Sequence, residues 1–175
     1  LESRDLIETL ETLGPTLSQK GVLIPCSDVT VLLISQHRDS LYTWYHIPLP
    51  DEAIVERLMD KIQFYTYAQA HNLPIPPTII LHSREDAERA AQTMTFPCAL
   101  KPPISADPRW EQNSKHKAYK VSKPEDLLEL YDVCCEWADV LIVQKWVEGD
   151  DTQLYICNTY LNRDSEPLVT FVSRK

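Results

Sequence analysis

Between Thr78 and Trp146 four short apolar runs alternate with two helical stretches, in an order that few folds accept. "TIIL" (Thr78–Leu81) reads as a strand. "SREDAERAAQTM" follows, with Ser83 as an N-cap and acids in the first turn, the pattern of a helix start. "CALK" (Cys98–Lys101) is a second strand, and the polar segment Pro103–Lys117 after it has no apolar period. "AYKV" is a third strand. "KPEDLLELYDVCCEW" is a helix with proline near its first position, and "VLIVQKW" is a fourth strand. The order β-α-β-loop-β-α-β predicts an α/β (α+β) layer, and 175 residues allow one medium domain or two small ones.

The flanks have a different rhythm. Leu6, Ile7, Leu10 and Leu13 form a helical stripe, and "GVLIP" reads as a short strand. Ser27 or Asp28 then caps a helix to about Ser40, and "YTWYHIPL" is rich in strand formers, so this part resembles the tail of an open α/β layer. A single helix is expected from Asp51 to His71, with Ile54, Val55, Leu58, Ile62 and Tyr65 at helical spacing. Prolines 74, 76 and 77 end it and mark the best domain boundary. From Asp151 onward "TQLYICNTYL", a polar turn and "LVTFVS" predict an antiparallel hairpin. The chain begins on a helix at Leu1 and stops within "TFVSRK", mid-strand in this reading, so it is expected to be part of a longer protein.

A net charge of −9 argues against a broad nucleic-acid or anionic-membrane surface. No apolar run approaches the roughly 20 residues of a membrane span, and no signal-peptide pattern is present. The five cysteines (26, 98, 134, 135, 157) include no C-x-x-C pair and several lie in apolar segments, which suggests reduced, buried thiols in a cytoplasmic protein. Five scattered histidines lack zinc-site spacing.

Chemistry concentrates at two strand ends. "FPCALKPP" runs apolar residues into Lys101 and then two prolines, which give the exit chain a defined direction. A lone strand-end lysine ordinarily covers apolar surface with its stem while its head reaches water. Here lysines 115, 117, 120 and 123 cluster nearby in an acidic chain, and cations gathered at a strand end suit a polyphosphate. A solvated loop accounts equally for most of those four taken singly. "VLIVQKWVEGDD" is an apolar strand that turns polar at Gln144 and Lys145 and breaks at Gly149. It reads either as a plain strand end or as a hinge holding a planar heterocycle. In the second case Gln144 offers an acceptor to an exocyclic amine, the backbone at Lys145 and Val147 faces a ring edge, and Asp151 accepts from ribose hydroxyls. Lys61, in "MDKIQFY", is by default a surface lysine. With three glycines in the chain, a glycine-rich phosphate cradle is ruled out.

The ordered set, "DK" in a helix, "LPIPPT", "FPCALKP", a loop, a helix, "VLIVQKWVEGDD" and a hairpin, resembles the ATP-grasp superfamily across roughly Ile24–Lys175, with carboxylate–amine ligases as the nearest flavour. The resemblance implies a partial ATP-grasp architecture: a truncated substrate-side layer with its linking helix (1–74), the small ATP-grasp subdomain (75–147), and the first hairpin of the third domain (148–175). It implies that Lys101 contacts the α- and β-phosphates of ATP and that Lys61 is a second phosphate lysine. Gln144, where glutamate is frequent, would meet the adenine amino group; Lys145 and Val147 would bind the adenine edge largely by backbone, and Asp151 the ribose. Pro103–Lys117 would be the mobile phosphate-covering loop; it lacks the usual glycines, and Lys117 is a candidate substitute. Magnesium ligands are expected outside this chain. The expectation is therefore the ATP-binding part of a ligase that joins a small carboxylate to an amine through an acyl phosphate, holding nucleotide weakly and catalysing nothing alone. The rivals are another ATP-grasp product class (carboxylase, carbamoyl phosphate synthesis, thioester formation) or a degenerate nucleotide- or partner-binding module. An E-x-N pattern on a downstream strand would separate ligase from module.

Overall fold

The computed structural model describes residues 3–104 and 107–175. Helix α1 (Ser3–Leu13) leads through a one-turn 3-10 helix to β1 (Gly21–Val22). Helix α2 (Asp28–Gln36) starts at Ser27, whose hydroxyl accepts from the Thr30 N–H while the Thr30 hydroxyl oxygen accepts from the Ser27 N–H, a closed capping box. A short α3 (Arg38–Leu41) follows, so the helix expected to run to Ser40 is in fact broken at His37. Strand β2 (Tyr45–His46) pairs in parallel with β1. Ile7, Ile34, Leu41, Tyr45 and Ile47 close a small core between these elements, and the Tyr45 hydroxyl donates to the Leu10 carbonyl at 2.8 Å.

The single helix expected over Asp51–His71 is two: α4 (Glu52–Met59) and α5 (Lys61–Ala70). Asp60 is the reason. Its backbone is extended (φ −89°, ψ 112°), and its carboxylate accepts from the N–H groups of Ile62 and Gln63. A short acidic side chain can satisfy the free donors of a helix start, and here it does so within an otherwise continuous helical period. The other end of α5 is also specified locally. Asn72 adopts a left-handed φ of 53°, its N–H donates to the Gln69 carbonyl, and the Leu73 N–H donates to the Ala68 carbonyl at 2.8 Å. This Schellman closure precedes Pro74, which could not continue a helix.

Beyond the prolines come β3 (Thr78–Leu81), α6 (Arg84–Thr93), β4 (Cys98–Lys101), α7 (Pro108–Asn113), β5 (Tyr119–Val121), α8 (Pro124–Cys134) and β6 (Leu141–Lys145). The four strands form one antiparallel sheet in the order β3-β6-β4-β5. Helices α6 and α8 cover one face. Ala87, Ala90 and Ala91 form a small-residue stripe at helical spacing, and Leu81, Cys98, Leu100, Leu127, Leu141 and Val143 fill the space below. These are mostly fully buried, so each large-to-small change there costs about 2–5 kcal/mol.

The polar segment after β4 is more ordered than its sequence suggests. Residues 105–106 lie outside the described residues, but α7 follows them, capped by Asp107 through the N–H groups of Arg109 and Trp110. Trp110 is 2% exposed, donates its indole N–H to the His116 carbonyl at 2.7 Å, and meets Trp137 and Tyr119 edge-on. One buried aromatic makes no period, which is why the segment read as featureless. After Gly149, whose φ of +151° only glycine adopts freely, the chain enters the hairpin β7 (Tyr155–Leu161) and β8 (Pro167–Arg174), exposed along both strands.

All five cysteines are free. Cys98 and Cys134 are buried as expected, but Cys26, Cys135 and Cys157 are exposed, because they fall on a helix approach, a helix end and the open hairpin. Among the described residues no helix is long and apolar enough to cross a membrane, and no cluster of three or more His, Cys, Asp or Glu side chains could hold a metal ion.

Candidate functional site

The register of the four-stranded sheet assembles the site. Cross-strand partners share a face, and Thr78, Gln144, Ala99 and Lys120 are partners in sequence across the four strands. Lys101, paired with Ile142, lies one step further along the same face. This is the face away from α6 and α8, and α5 reaches it: Gln69 donates to the Thr78 carbonyl at 2.7 Å.

At its centre the Lys101 ammonium donates to the Gln144 side-chain oxygen at 2.8 Å and to the Tyr65 hydroxyl at 3.1 Å. It also lies 5.3 Å from the centre of the Tyr65 ring. The Tyr65 hydroxyl in turn donates to the same Gln144 oxygen at 3.3 Å. The Gln144 amide nitrogen donates to the Thr78 hydroxyl at 2.8 Å, and that hydroxyl gives its one proton to the Pro76 carbonyl. The chain of donors fixes which end of the amide faces Lys101.

Lys61, at the first position of α5, donates to the Pro103 carbonyl at 2.9 Å, two residues past Lys101. Burial pushes its pKa below the usual lysine value. The neighbouring Lys101 charge pushes the same way, against weaker opposite effects from Tyr65, Asp28 and Asp60. Two cations are thus held close at one strand end. Among the described residues no carboxylate forms an ion pair with Lys101. Such a pair favours an anion with several oxygens.

The other sequence candidates fall differently. Lys145 projects to the opposite face from Gln144, in the row of Cys98, and its ammonium donates to the Phe96 carbonyl at 3.2 Å. Its N–H is committed to the Pro77 carbonyl. Val147 is 71% exposed just past the strand, beside Trp146, whose N–H goes to the Pro97 carbonyl. Asp151 begins a one-turn 3-10 helix after Gly149, and its side chain lies outside what is described. Lys117 is exposed just beyond the Leu100–Tyr119 pair, at the Lys101 end of the sheet.

Sequence reasoning missed three participants. In the sequence Tyr65 stands out only as an apolar helix position, although it sits four residues from Lys61 and so on the same face of α5. Thr78 gives no signal outside its register. Lys120 is one of four clustered lysines in the sequence, yet it lies on the site face, 4.8 Å over the Trp146 ring and 3.4 Å from the Glu148 carboxylate.

Comparison with known proteins sets this geometry in a class. No family model matches the chain. Among solved structures, the ADP complex of purK, an N5-carboxyaminoimidazole ribonucleotide synthetase, superposes with a TM-score of 0.64 at 12% identity, covering 98% of this chain and 40% of that one. The biotin carboxylase domain of the Hydrogenobacter thermophilus 2-oxoglutarate carboxylase, complexed with MgADP, ADP and bicarbonate, gives 0.60 at 17% identity, over 85% of this chain and 32% of that one. The fold is that of the ATP-grasp proteins, present here in part. In sequence, the chain is similar to the D-aspartate ligase of Enterococcus faecium (strain Aus0004), 29% identical over 157 residues. That match takes in 85% of this chain and spans 37% of the relative's length.

Proposed function

We propose that this chain is the nucleotide-gripping part of an ATP-dependent carboxylate–amine ligase. The observation that carries the reading is the meeting of Lys61, Lys101 and Gln144 between α5 and the sheet face turned away from α6 and α8. The similarity to a D-aspartate ligase supports the ligase class, and the ADP complexes of two fold neighbours support the ligand. In this reading Lys101 and Lys61 meet the phosphates and Gln144 faces the adenine amine. Lys145 and Val147 line the base edge by backbone, Asp151 lies toward the ribose, and Lys117 flanks the phosphates. The two cores, one on each side of Pro74–Pro77, support a boundary near 74/75; the further division into 75–147 and 148–175 is part of this reading.

In the whole protein a substrate carboxylate oxygen attacks the γ-phosphorus of ATP. The bond to the bridging oxygen breaks, ADP leaves, and an amine then displaces phosphate from the acyl carbon. Lysines that hold the phosphate oxygens offset the charge that develops there. Magnesium, when bound, adds to that effect; in this reading its ligands are expected outside this chain. A cytoplasmic setting fits a reaction that consumes ATP.

The neutral Gln144, in place of an acid, favours a second reading: a module that holds nucleotide or a partner without chemistry. Calorimetric titration with ATP tests both. Binding that weakens at least tenfold in Lys101→Ala supports the phosphate role. Equal affinity of the two proteins would sink it, and no binding at all would leave the partner module.

A further inference from the structure

We propose that Tyr65 is a positioning residue for Lys101, holding its ammonium toward the phosphates with neutral groups so that its charge stays uncompensated. The inference rests on the nucleotide-site reading above and adds a residue that reading does not assign.

The side chain of Lys101 has three donors and uses two, on Tyr65 at 3.1 Å and Gln144 at 2.8 Å. Both acceptors are uncharged. The Tyr65 hydroxyl has one proton, directed to Gln144, so toward Lys101 it acts as an acceptor. Gln144 cannot turn its amide nitrogen toward Lys101 without giving up its bond to Thr78, whose own proton is spent on Pro76. The bracket is therefore self-consistent: each proton has one destination. An acidic partner would hold the ammonium as well, but it would cancel the field that an anion feels. A hydroxyl and an amide oxygen hold it without doing so. Tyr65 adds geometric definition that a four-carbon lysine stem lacks. Its place on α5, one turn after Lys61, ties the direction of Lys101 to the same helix that carries the second cation.

The test is displacement of a fluorescent ADP analogue from wild type, Tyr65→Phe and Lys101→Ala, by ADP and by adenosine. Tyr65→Phe keeps the ring and removes only the hydroxyl. Affinity for ADP should fall about fivefold, the scale of one hydrogen bond, while adenosine competes within twofold of wild type. A merely structural role would weaken both ligands together or lower the melting temperature without changing their ratio. If Lys101→Ala loses ADP but Tyr65→Phe keeps it, or binds it more tightly, the positioning role is wrong and the nucleotide site stands. If wild type fails to bind the analogue, both fall.

Discussion

The Lys101 ammonium lies 2.8 Å from the Gln144 side-chain oxygen, although 43 residues separate them in the chain. The contact exists because β4 and β6 are neighbours in the sheet, with Ala99 opposite Gln144 and Lys101 two pairs further along, on the same face. It makes a strand-end lysine part of a directed network.

Replacing Gln144 with leucine removes an acceptor from Lys101 and Tyr65 and the donor that satisfies Thr78. Half-buried polar groups left without partners cost about 1–3 kcal/mol. Urea unfolding should show a loss in that range for Gln144→Leu. An unchanged midpoint would mean that water replaces all three bonds.

Lys61 makes stability depend on pH in a defined direction. Its folded pKa is lowered, chiefly by burial, so between that value and the ordinary lysine value of about 10.4 the unfolded chain binds more protons. Its contribution to stability rises with pH through that window. Tyr45 and Tyr131, whose pKa values burial raises, act with the opposite sign above pH ~10, so the comparison must be a difference. Subtracting the curve of Lys61→Met from that of wild type should leave a positive slope. A flat difference refutes the assignment.

The thiols should divide by environment. Burial pushes the Cys134 thiol up to about 11 and raises that of Cys98, while Cys26, Cys135 and Cys157 are exposed. A thiol-specific reagent at pH 8 should modify three cysteines quickly and the other two only on unfolding. Rapid modification of Cys134 in the folded chain, mapped by mass spectrometry, would contradict the packing of α8.

Trp110 should be the anchor of the segment after β4. Trp110→Ala removes a buried indole and its bond to His116, at a cost of about 3–5 kcal/mol, measured by denaturant unfolding. Arg109→Ala, which breaks only an exposed pair with Asp139, should cost less than about 1 kcal/mol. Equal effects would mean that the ion pair, and not the aromatic, holds the segment.

The errors of the sequence reading have a common cause. The helix from Asp51 to His71 kept its apolar period through Asp60, because a helix can stop and restart without losing phase when a side chain caps the break. The segment 103–117 hid α7 because one buried tryptophan is too little for periodicity to register. Cys157 looked interior because strand formers in a hairpin resemble core, and the structure leaves both faces of that hairpin exposed.

By itself the sequence determined the order of the four strands and the helices α6 and α8 from Thr78 to Lys145, and the break at the prolines. These follow from local periodicity, caps and proline geometry, which need no distant partner. The ATP-grasp fold was legible as a resemblance carried by the order of motifs. Tertiary structure alone decided that Lys101 meets Gln144 and Tyr65, that Lys145 turns to the other face, and that Lys120 joins the site face. Strand register sets those pairings, and because side chains alternate along a strand, a shift of one residue would send each to the opposite face. That choice is made by the burial of Leu100 and Val143 under α6 and α8, which fixes the faces of β4 and β6 together.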